Sequence, residues 1–338
     1  MRDMSLVSRQ ENAGLLRLAE KREVKFGKKL AIETPMLVPS FSSRIPEIEK
    51  PFRASEQFVD GPILISAYDV KHGHLSPPYD FGSAIFLDSG GYETARITDL
   101  SDVGDQTPNP IVWPEEDHAK LVAGWSPKVP SAVISYDHPS KRHALEEQIR
   151  RAKSMRLSRE DIVREILLKP ETTDQNFIQV DAVLESIREL AGFGVIGVTE
   201  KEIGNSVLQR MVHIAKLRQA LNKIGLNTPI HVFGSLDTVT TLFYFVAGAD
   251  IFDGLTWLRY AFKEGRTLYR QDFGISDLGI FTKAYKIDAL CWSRNYTYMA
   301  DMELEMKCFP TSHDFHVFKH HGEPLKRACE SIEAALGA

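Results

Sequence analysis

Ile230-His231-Val232-Phe233-Gly234, then the segment Leu236–Ala247, then Asp250-Ile251-Phe252-Asp253 is the stretch whose reading decides the fold. Two short runs rich in branched and aromatic residues flank a segment of helical length. Ser235 or Asp237 is placed to cap its start and Gly248 to stop its end. Near-continuous apolar runs suit strands buried on both faces of a parallel sheet. Working outward, the same kind of run recurs at Met36–Ser40, Ile63–Ser66, Ile85–Asp88, Val133–Asp137, Ile166–Lys169 and Val195–Thr199. Helix-like segments, His143–Met155, Val180–Ala191 and Ser206–Ile224, lie between several of them. Eight strands alternating with helices predict an α/β fold, the (β/α)8 TIM barrel. The competing open, doubly wound sheet calls for a GxGxxG loop after the first strand, and Pro39-Ser40-Phe41-Ser42-Ser43 is not one. The barrel sets Asp88, Asp137, Lys169, Thr199, Gly234 and Asp253 at strand carboxyl ends, where barrel enzymes keep their chemistry.

The 338 residues are 43% hydrophobic, enough to fill a large core. No apolar run approaches the roughly 18 residues of a membrane span, and Met1–Asn12 is polar and charged, so neither a span nor a signal peptide is expected. Cys291, Cys308 and Cys329 are too few for a disulfide framework, which makes a reducing cytoplasm the expected compartment. A net charge of −5 does not advertise a nucleic-acid binder, although it says little about a local patch. Basic clusters occur at Lys21, Arg22, Lys25, Lys28 and Lys29, at Lys141, Arg142, Arg150, Arg151 and Lys153, and at Arg259, Lys263, Arg266 and Arg270. Each reads as a solvated face unless its position beside a site promotes it. Residues 1–30 read as an extension and 31–261 as a catalytic barrel. Residues 262–338 read as a small carboxy-terminal subdomain, because Phe262–Cys308 breaks the strand–helix rhythm. Pro324–Leu336 reads as a closing amphipathic helix, with Leu325, Ala328, Ile332 and Leu336 at helical spacing.

Three aspartates at strand ends carry the chemical interest. Asp88 leads into Ser89-Gly90-Gly91-Tyr92-Glu93, where glycine lets backbone approach a ligand and an aromatic face follows; a tight turn is the plain alternative. Asp253 closes Asp250-Ile251-Phe252-Asp253, with a helix N-cap as its alternative. Asp250 is expected to begin that strand, facing solvent or capping the preceding helix. Asp137-His138-Pro139 reads as a site or as a cap. Two carboxylates, one nucleophile and one acid/base, are what retaining glycosyl transfer requires.

Several of these segments resemble those of a known family. Asp88–Glu93 resembles the Asp-Ser-Gly-Gly-Phe-Gln motif of the tRNA-guanine transglycosylases, and Thr34-Pro35-Met36-Leu37-Val38-Pro39 resembles their early Thr-Pro-x-Phe-Met-Pro strand. Ile63–Tyr68 is similar to the segment ending in Asn-x-Tyr, and Gly194–Val198 stands at the glycine-rich base-binding loop. His231-Val232-Phe233-Gly234, Gly248–Asp253 and Tyr260–Arg266 are similar to the archaeal-type members. The likeness runs in order from about residue 30 to 320. It implies that Asp253 attacks C1′ of the target nucleotide and that Asp88 handles the proton of the leaving and incoming base. It further implies that Ser89, Gly90, Tyr92, Asp137, Lys169, Gly197 and Gly234 line the base, with Tyr92 stacking and Asp137 accepting from the guanine edge. The target nucleotide must be unpaired or flipped.

The departures bear on substrate. Glu93 stands where the family has Gln, and Lys169 near where it has another. The Cys-x-Cys-x-x-Cys zinc signature is reduced to Cys291-Trp292-Ser293, while His313-Asp314-Phe315 resembles the family's His-Asn-Leu zinc-ligand position. Cys308 and His316 would complete a structural zinc set with Cys291 and His313; no organic cofactor is implied. The sequence reads as ending near the barrel, so the archaeal RNA-binding extension is not expected. With the zinc spacing lost, it resembles the branch that exchanges guanine in DNA for a 7-cyano-7-deazaguanine-type base. Nucleic acid, DNA ahead of tRNA, and a 7-deazaguanine base are thus the implied partners, a homodimer is allowed for, and no membrane is involved. The alternatives are a tRNA enzyme of the same mechanism and a non-catalytic partner subunit, against which the retained Asp88 and Asp253 count. An unrelated barrel lyase or aldolase using Lys169 is the last.

Overall fold

The structure is a computed structural model describing residues 18–28, 30–95, 110–138 and 140–337. Most of the expected amino-terminal extension (residues 1–17), Lys29 and Pro139 lie outside the described residues. An antiparallel hairpin, β1 (Glu23–Phe26) and β2 (Leu30–Glu33), precedes eight parallel strands. These are β3 (Met36–Phe41), β4 (Ile63–Ser66), β5 (Ile85–Asp88), β6 (Ser131–Ile134), β7 (Val163–Leu168), β8 (Val195–Thr199), β9 (Ile230–Phe233) and β10 (Ile251–Gly254). Each pairs with the next, and β10 pairs with β3 as well as β9, so the sheet closes into the (β/α)8 barrel. Every strand expected from sequence is present, and the helices between them lie outside the barrel wall.

The strands look uniformly apolar because both faces are covered, yet their side chains still alternate. Met36, Val38, Leu64, Phe86, Ile134, Leu167, Phe233 and Ile251 fill the interior. Leu37, Ile63, Ile65, Ile85, Leu87, Ile166, Ile196, Val232 and Phe252 face the helices. Val24 and Phe26 of the β1–β2 hairpin join the interior cluster, closing the barrel at the end where the strands begin.

Asp250 differs from expectation. It is buried at the start of β10, where Arg22 Nη1 lies 2.9 Å from Oδ1 and Arg218 Nη2 pairs with Oδ2. Ile230 N–H also donates to Oδ2 at 2.7 Å. Arg218 donates further to the carbonyls of Gly248 and Thr228. Burial pulls the Arg218 guanidinium down to about 10, against the opposing pull of Asp250. Arg22 therefore leaves the list of solvated basic residues.

After β10 come the helix Thr256–Arg259, the hairpin β11 (Ala261–Lys263) and β12 (Arg266–Leu268), and two longer helices, Ala284–Ser312 and Gly322–Gly337. The first stands against β3 and the helix Glu49–Ser55, and Glu303 accepts the Leu37 N–H at 2.9 Å. The second packs Leu325, Cys329 and Ile332 toward the helices Val207–Lys223 and Thr240–Val246. Met299, Met302, Met306 and Phe309 share the core between the barrel and its helices, so residues 262–337 are largely built onto the barrel wall. Among the described residues, no helix is long and apolar enough to cross a membrane.

Candidate active site

Inward alternation continues past the apolar core to the carboxyl ends of the strands. Asp253 follows Ile251 on β10, Ser40 follows Val38 on β3, and Asp88 follows Phe86 on β5. On β7, Glu165 lies between Val163 and Leu167, and His231 sits two residues before Phe233 on β9. Asp253 is 6% exposed and surrounded by donors. Ser40 Oγ donates to Oδ2 at 2.7 Å, Gly234 N–H donates to Oδ1 at 3.1 Å, and His231 Nε2 lies 3.2 Å from Oδ1. Gly234 takes a left-handed conformation, φ +79°, and that turn points its N–H at the carboxylate.

Asp88 ends β5 level with Ser66 of β4, and the chain turns at once into a four-residue helix, Gly91–Thr94. Gly90, at φ +91°, cannot carry a side chain: a Cβ there would meet Tyr68 and Trp113 at under 3 Å. Trp113 Nε1 donates to the Ser89 carbonyl at 2.8 Å, and Ser89 is itself buried. Ser89 and Gly90 therefore shape the turn that presents Asp88, which keeps a partly exposed edge. The Arg44 guanidinium lies over the Tyr92 ring at 5.1 Å, donates to the Tyr92 and Ala95 carbonyls, and anchors the turn. Arg259 donates to the Tyr92 hydroxyl at 2.9 Å, which brings the start of one basic cluster to the mouth of the barrel.

Burial raises the Asp88 carboxyl to about 7, helped by the charges of Glu93 and Asp253 and opposed by the backbone N–H groups of Gly90 and Ser89. Asp253 is thus near enough for its charge to act on Asp88. Glu93 accepts from Ser42 Oγ at 2.6 Å and Ser66 Oγ at 2.8 Å; burial, then the charge of Asp69, raises it to about 7 as well. Asp69 is buried too, takes the Ser43 N–H at 2.8 Å, and is lifted to about 7 chiefly by burial. Three acidic side chains crowded at one rim cannot all ionise cheaply. Glu93 is engaged beneath the mouth by the two serines.

Asp137 and Lys169 meet, just beyond β6 and β7. Lys169 Nζ lies 3.1 Å from Asp137 Oδ2 and 2.5 Å from Glu202 Oε2, and Arg142 bridges the same two carboxylates at 3.1 and 3.2 Å. Burial lowers the Lys169 ammonium, but Asp137 and Glu202 outweigh it and hold it above its ordinary range. A Cβ on Gly91 would fall 2.8 Å from Asp137 Oδ2, which places this cluster against the Asp88 turn. Gly197 faces the barrel interior: a Cβ there would meet the Phe233 ring at 2.6 Å and Glu165 Oε1 at 3.1 Å. Its absence of a side chain makes room for the buried layer beneath Asp253.

The expected zinc set is a correction. Cys291 and Cys308 lie on one continuous helix, 17 residues and therefore about 25 Å apart along its axis, so they cannot share an ion. Cys291 is packed with Ala261 and Phe273, while Cys308 and His316 are exposed. His313 closes that helix in a left-handed conformation, φ +51°. Among the described residues no group of three or more His, Cys, Asp or Glu side chains is placed to hold a metal.

Sequence reading missed Ser40, Glu165, His231, Arg142 and Glu202 as site residues. A signal existed for two of them: Glu165 and His231 are ionisable residues at inward positions of otherwise apolar strands. Protein-family models and curated proteins yield no match to this chain.

Proposed function

We propose that the chain is a base-exchange glycosylase of the guanine transglycosylase kind. It replaces a guanine of DNA with a 7-deazaguanine base of the 7-cyano-7-deazaguanine type, through a covalent aspartyl-nucleotide intermediate. The observation that carries this reading is the unlike surroundings of two carboxyl groups at one barrel mouth. Asp253 is held by the Ser40 hydroxyl and the Gly234 N–H, while burial raises Asp88 to about 7. A positioned nucleophile and a carboxyl that still carries a proton near neutral pH are the two parts that retaining glycosyl transfer needs.

In the first half, Asp253 Oδ2 bonds to C1′ as the bond from C1′ to guanine breaks, and the Asp88 proton passes to a ring nitrogen of the departing base. In the second half, N9 of the incoming base attacks C1′ as the bond from C1′ to Asp253 Oδ2 breaks and its electron pair returns to Asp253, and the N9 proton passes to Asp88. Asp137 supplies the acceptor that a guanine-type N1–H and 2-amino edge requires, since a carboxylate has lone pairs beyond those given to Lys169 and Arg142. Lys169 supplies a donor for O6, and Tyr92 an aromatic face. The polymer we favour is DNA, because the family's Cys-x-Cys-x-x-Cys element is missing and Cys291 is built into a hydrophobic contact instead. Digested DNA and tRNA from cells making the protein together with the 7-deazaguanine precursor are expected to show the modified nucleoside in DNA by mass spectrometry. Modified tRNA alone replaces DNA with tRNA as substrate, and modification of neither overturns the reading.

The state of Asp88 sets a pH dependence. Its folded pKa, about 7, lies above the ordinary carboxylate value, so the acid form persists up to neutral pH and is lost as pH rises through 7. Single-turnover guanine release is expected to fall about tenfold per pH unit above that point. Asp88→Asn is expected to be slow at every pH and to lack this limb. A limb that survives in the variant would remove Asp88 from the role.

A further inference from the structure

Beneath Asp253 lies a pair of ionisable side chains that the two-carboxyl scheme leaves unused. His231 on β9 and Glu165 on β7 are fully buried, with His231 Nδ1 2.7 Å from Glu165 Oε1 and Nε2 3.2 Å from Asp253 Oδ1. Phe233 stacks on the imidazole at 3.9 Å between centroids and Phe86 meets it edge-on at 5.7 Å. The ring is therefore faced by two ionisable groups, Glu165 and Asp253, and by two aromatic walls. Burial pushes the imidazole down, but Glu165 and then Asp253 outweigh it and hold it at about 9, so an imidazolium persists at neutral pH. Its Nε2 N–H is close to Asp253 Oδ1 without being aligned for a hydrogen bond; it acts there as a charge. Of the two Asp253 oxygens, Oδ1 faces this charge and the Gly234 N–H, while Oδ2 has the neutral Ser40 hydroxyl.

We propose that Glu165 and His231 are positioning residues for the second half of the exchange. They keep an imidazolium beside Oδ1, so that Asp253 leaves readily as a carboxylate once Oδ2 carries the glycosyl ester. The inference rests on the reading of Asp253 as the nucleophile. While the ester exists, Asp253 is uncharged and the imidazolium is balanced by Glu165 alone. When the incoming base attacks C1′, the bond from C1′ to Oδ2 breaks and its electron pair returns to Asp253. The N9 proton of the base passes to the Asp88 carboxylate. Negative charge then develops about 3 Å from a cation already in place, the arrangement in which a fixed partner contributes most. A cation beside a nucleophile also tempers its attack, so its benefit falls on the departure of Asp253.

The test is the balance between covalent adduct and turnover. With labelled DNA and incoming base, adduct is read on a denaturing gel and exchange by incorporation of the base. Glu165→Gln removes the anion that keeps the ring charged, and His231→Gln removes the ring while keeping a donor. Both are expected to raise the share of protein held as adduct while exchange falls on the order of a hundredfold. Glu165→Asp, which keeps the anion, is expected to return toward the wild-type share. Adduct and exchange falling together, the signature of a merely structural role, or an unchanged adduct share would overturn the proposal. The wild-type protein offers a second reading that needs no variant. Its second-half rate is expected to rise with pH as Asp88 becomes a base and to fall at higher pH as His231 loses its proton. Both limbs lie below the free protein's values of about 7 and about 9, because esterified Asp253 no longer raises either group. The absence of the upper limb counts against the dyad. No exchange by wild type overturns the transglycosylase reading itself, whereas exchange without adduct build-up in the variants overturns this inference alone.

Discussion

On the proposed reading, Asp253→Asn is expected to lower guanine exchange on the order of 10⁴- to 10⁶-fold, the scale on which loss of a covalent nucleophile acts. The substitution is close to isosteric. The asparagine carbonyl can still accept from Gly234 N–H, and its amide can donate to Ser40 Oγ, which turns from donor to acceptor. The buried imidazolium keeps Glu165 as counter-charge. The fold is therefore retained while the oxygen proposed to attack C1′ is replaced by an amide. Incorporation of labelled guanine into DNA measures the loss, and the covalent band on a denaturing gel should vanish with it. Activity within tenfold of wild type would show that another group forms the bond.

The largest effect on stability is expected at the other end of the same strand. Asp250→Ala leaves two arginines, Arg22 and Arg218, buried without their carboxylate and removes the acceptor of the Ile230 N–H. Breaking a buried ion pair from one side typically costs about 3–5 kcal/mol, because the charge left behind is neither paired nor hydrated. Equilibrium chemical unfolding of the variant is expected to show a loss of that size. A change below about 1 kcal/mol would mean that water reaches the site and the cluster is not sealed. Asp250 and Asp253, three residues apart, thus serve opposite ends of the barrel, one holding it together and the other facing its mouth.

The barrel itself was legible in the sequence because a strand covered on both faces must be apolar along its length, and eight such runs stand out. Boundaries were less legible where polar residues continue the chain beyond the ladder. Asp137 and Lys169 were read as strand ends, but β6 stops at Ile134 and β7 at Leu168, and the two charged residues pair with each other just outside. Leu236–Ala247 shortens to Thr240–Val246: the residues before Thr240 are irregular, with Asp237 accepting the N–H groups of Val239 and Thr240. The long helix Ala284–Ser312 hid for a different reason. Its buried stripe, Cys291, Asn295, Met299, Met302, Met306 and Phe309, has helical spacing but few of the branched residues that mark a core. Missing that helix allowed Cys291 and Cys308 to be placed on one ion.

The candidate site was half legible. Asp88 and Asp253 sit at turns and strand ends whose local sequence announces them. Asp250 was misread because its partners are 228 and 32 residues away, and no local pattern carries that information. Glu165 and His231 were missed because they lie 66 residues apart and meet only when the barrel closes. Alternation along a strand places each inward, while closure of the sheet makes them neighbours.

The β1–β2 hairpin has a kinetic meaning. Val24 and Phe26 stopper the barrel where its strands begin, so traffic to Asp253 passes through the opposite end. On the proposed reading, expelled guanine must leave by the entrance the replacement base uses, and the two occupy one seat in turn. A chamber open at one end enforces that order of events through its shape alone.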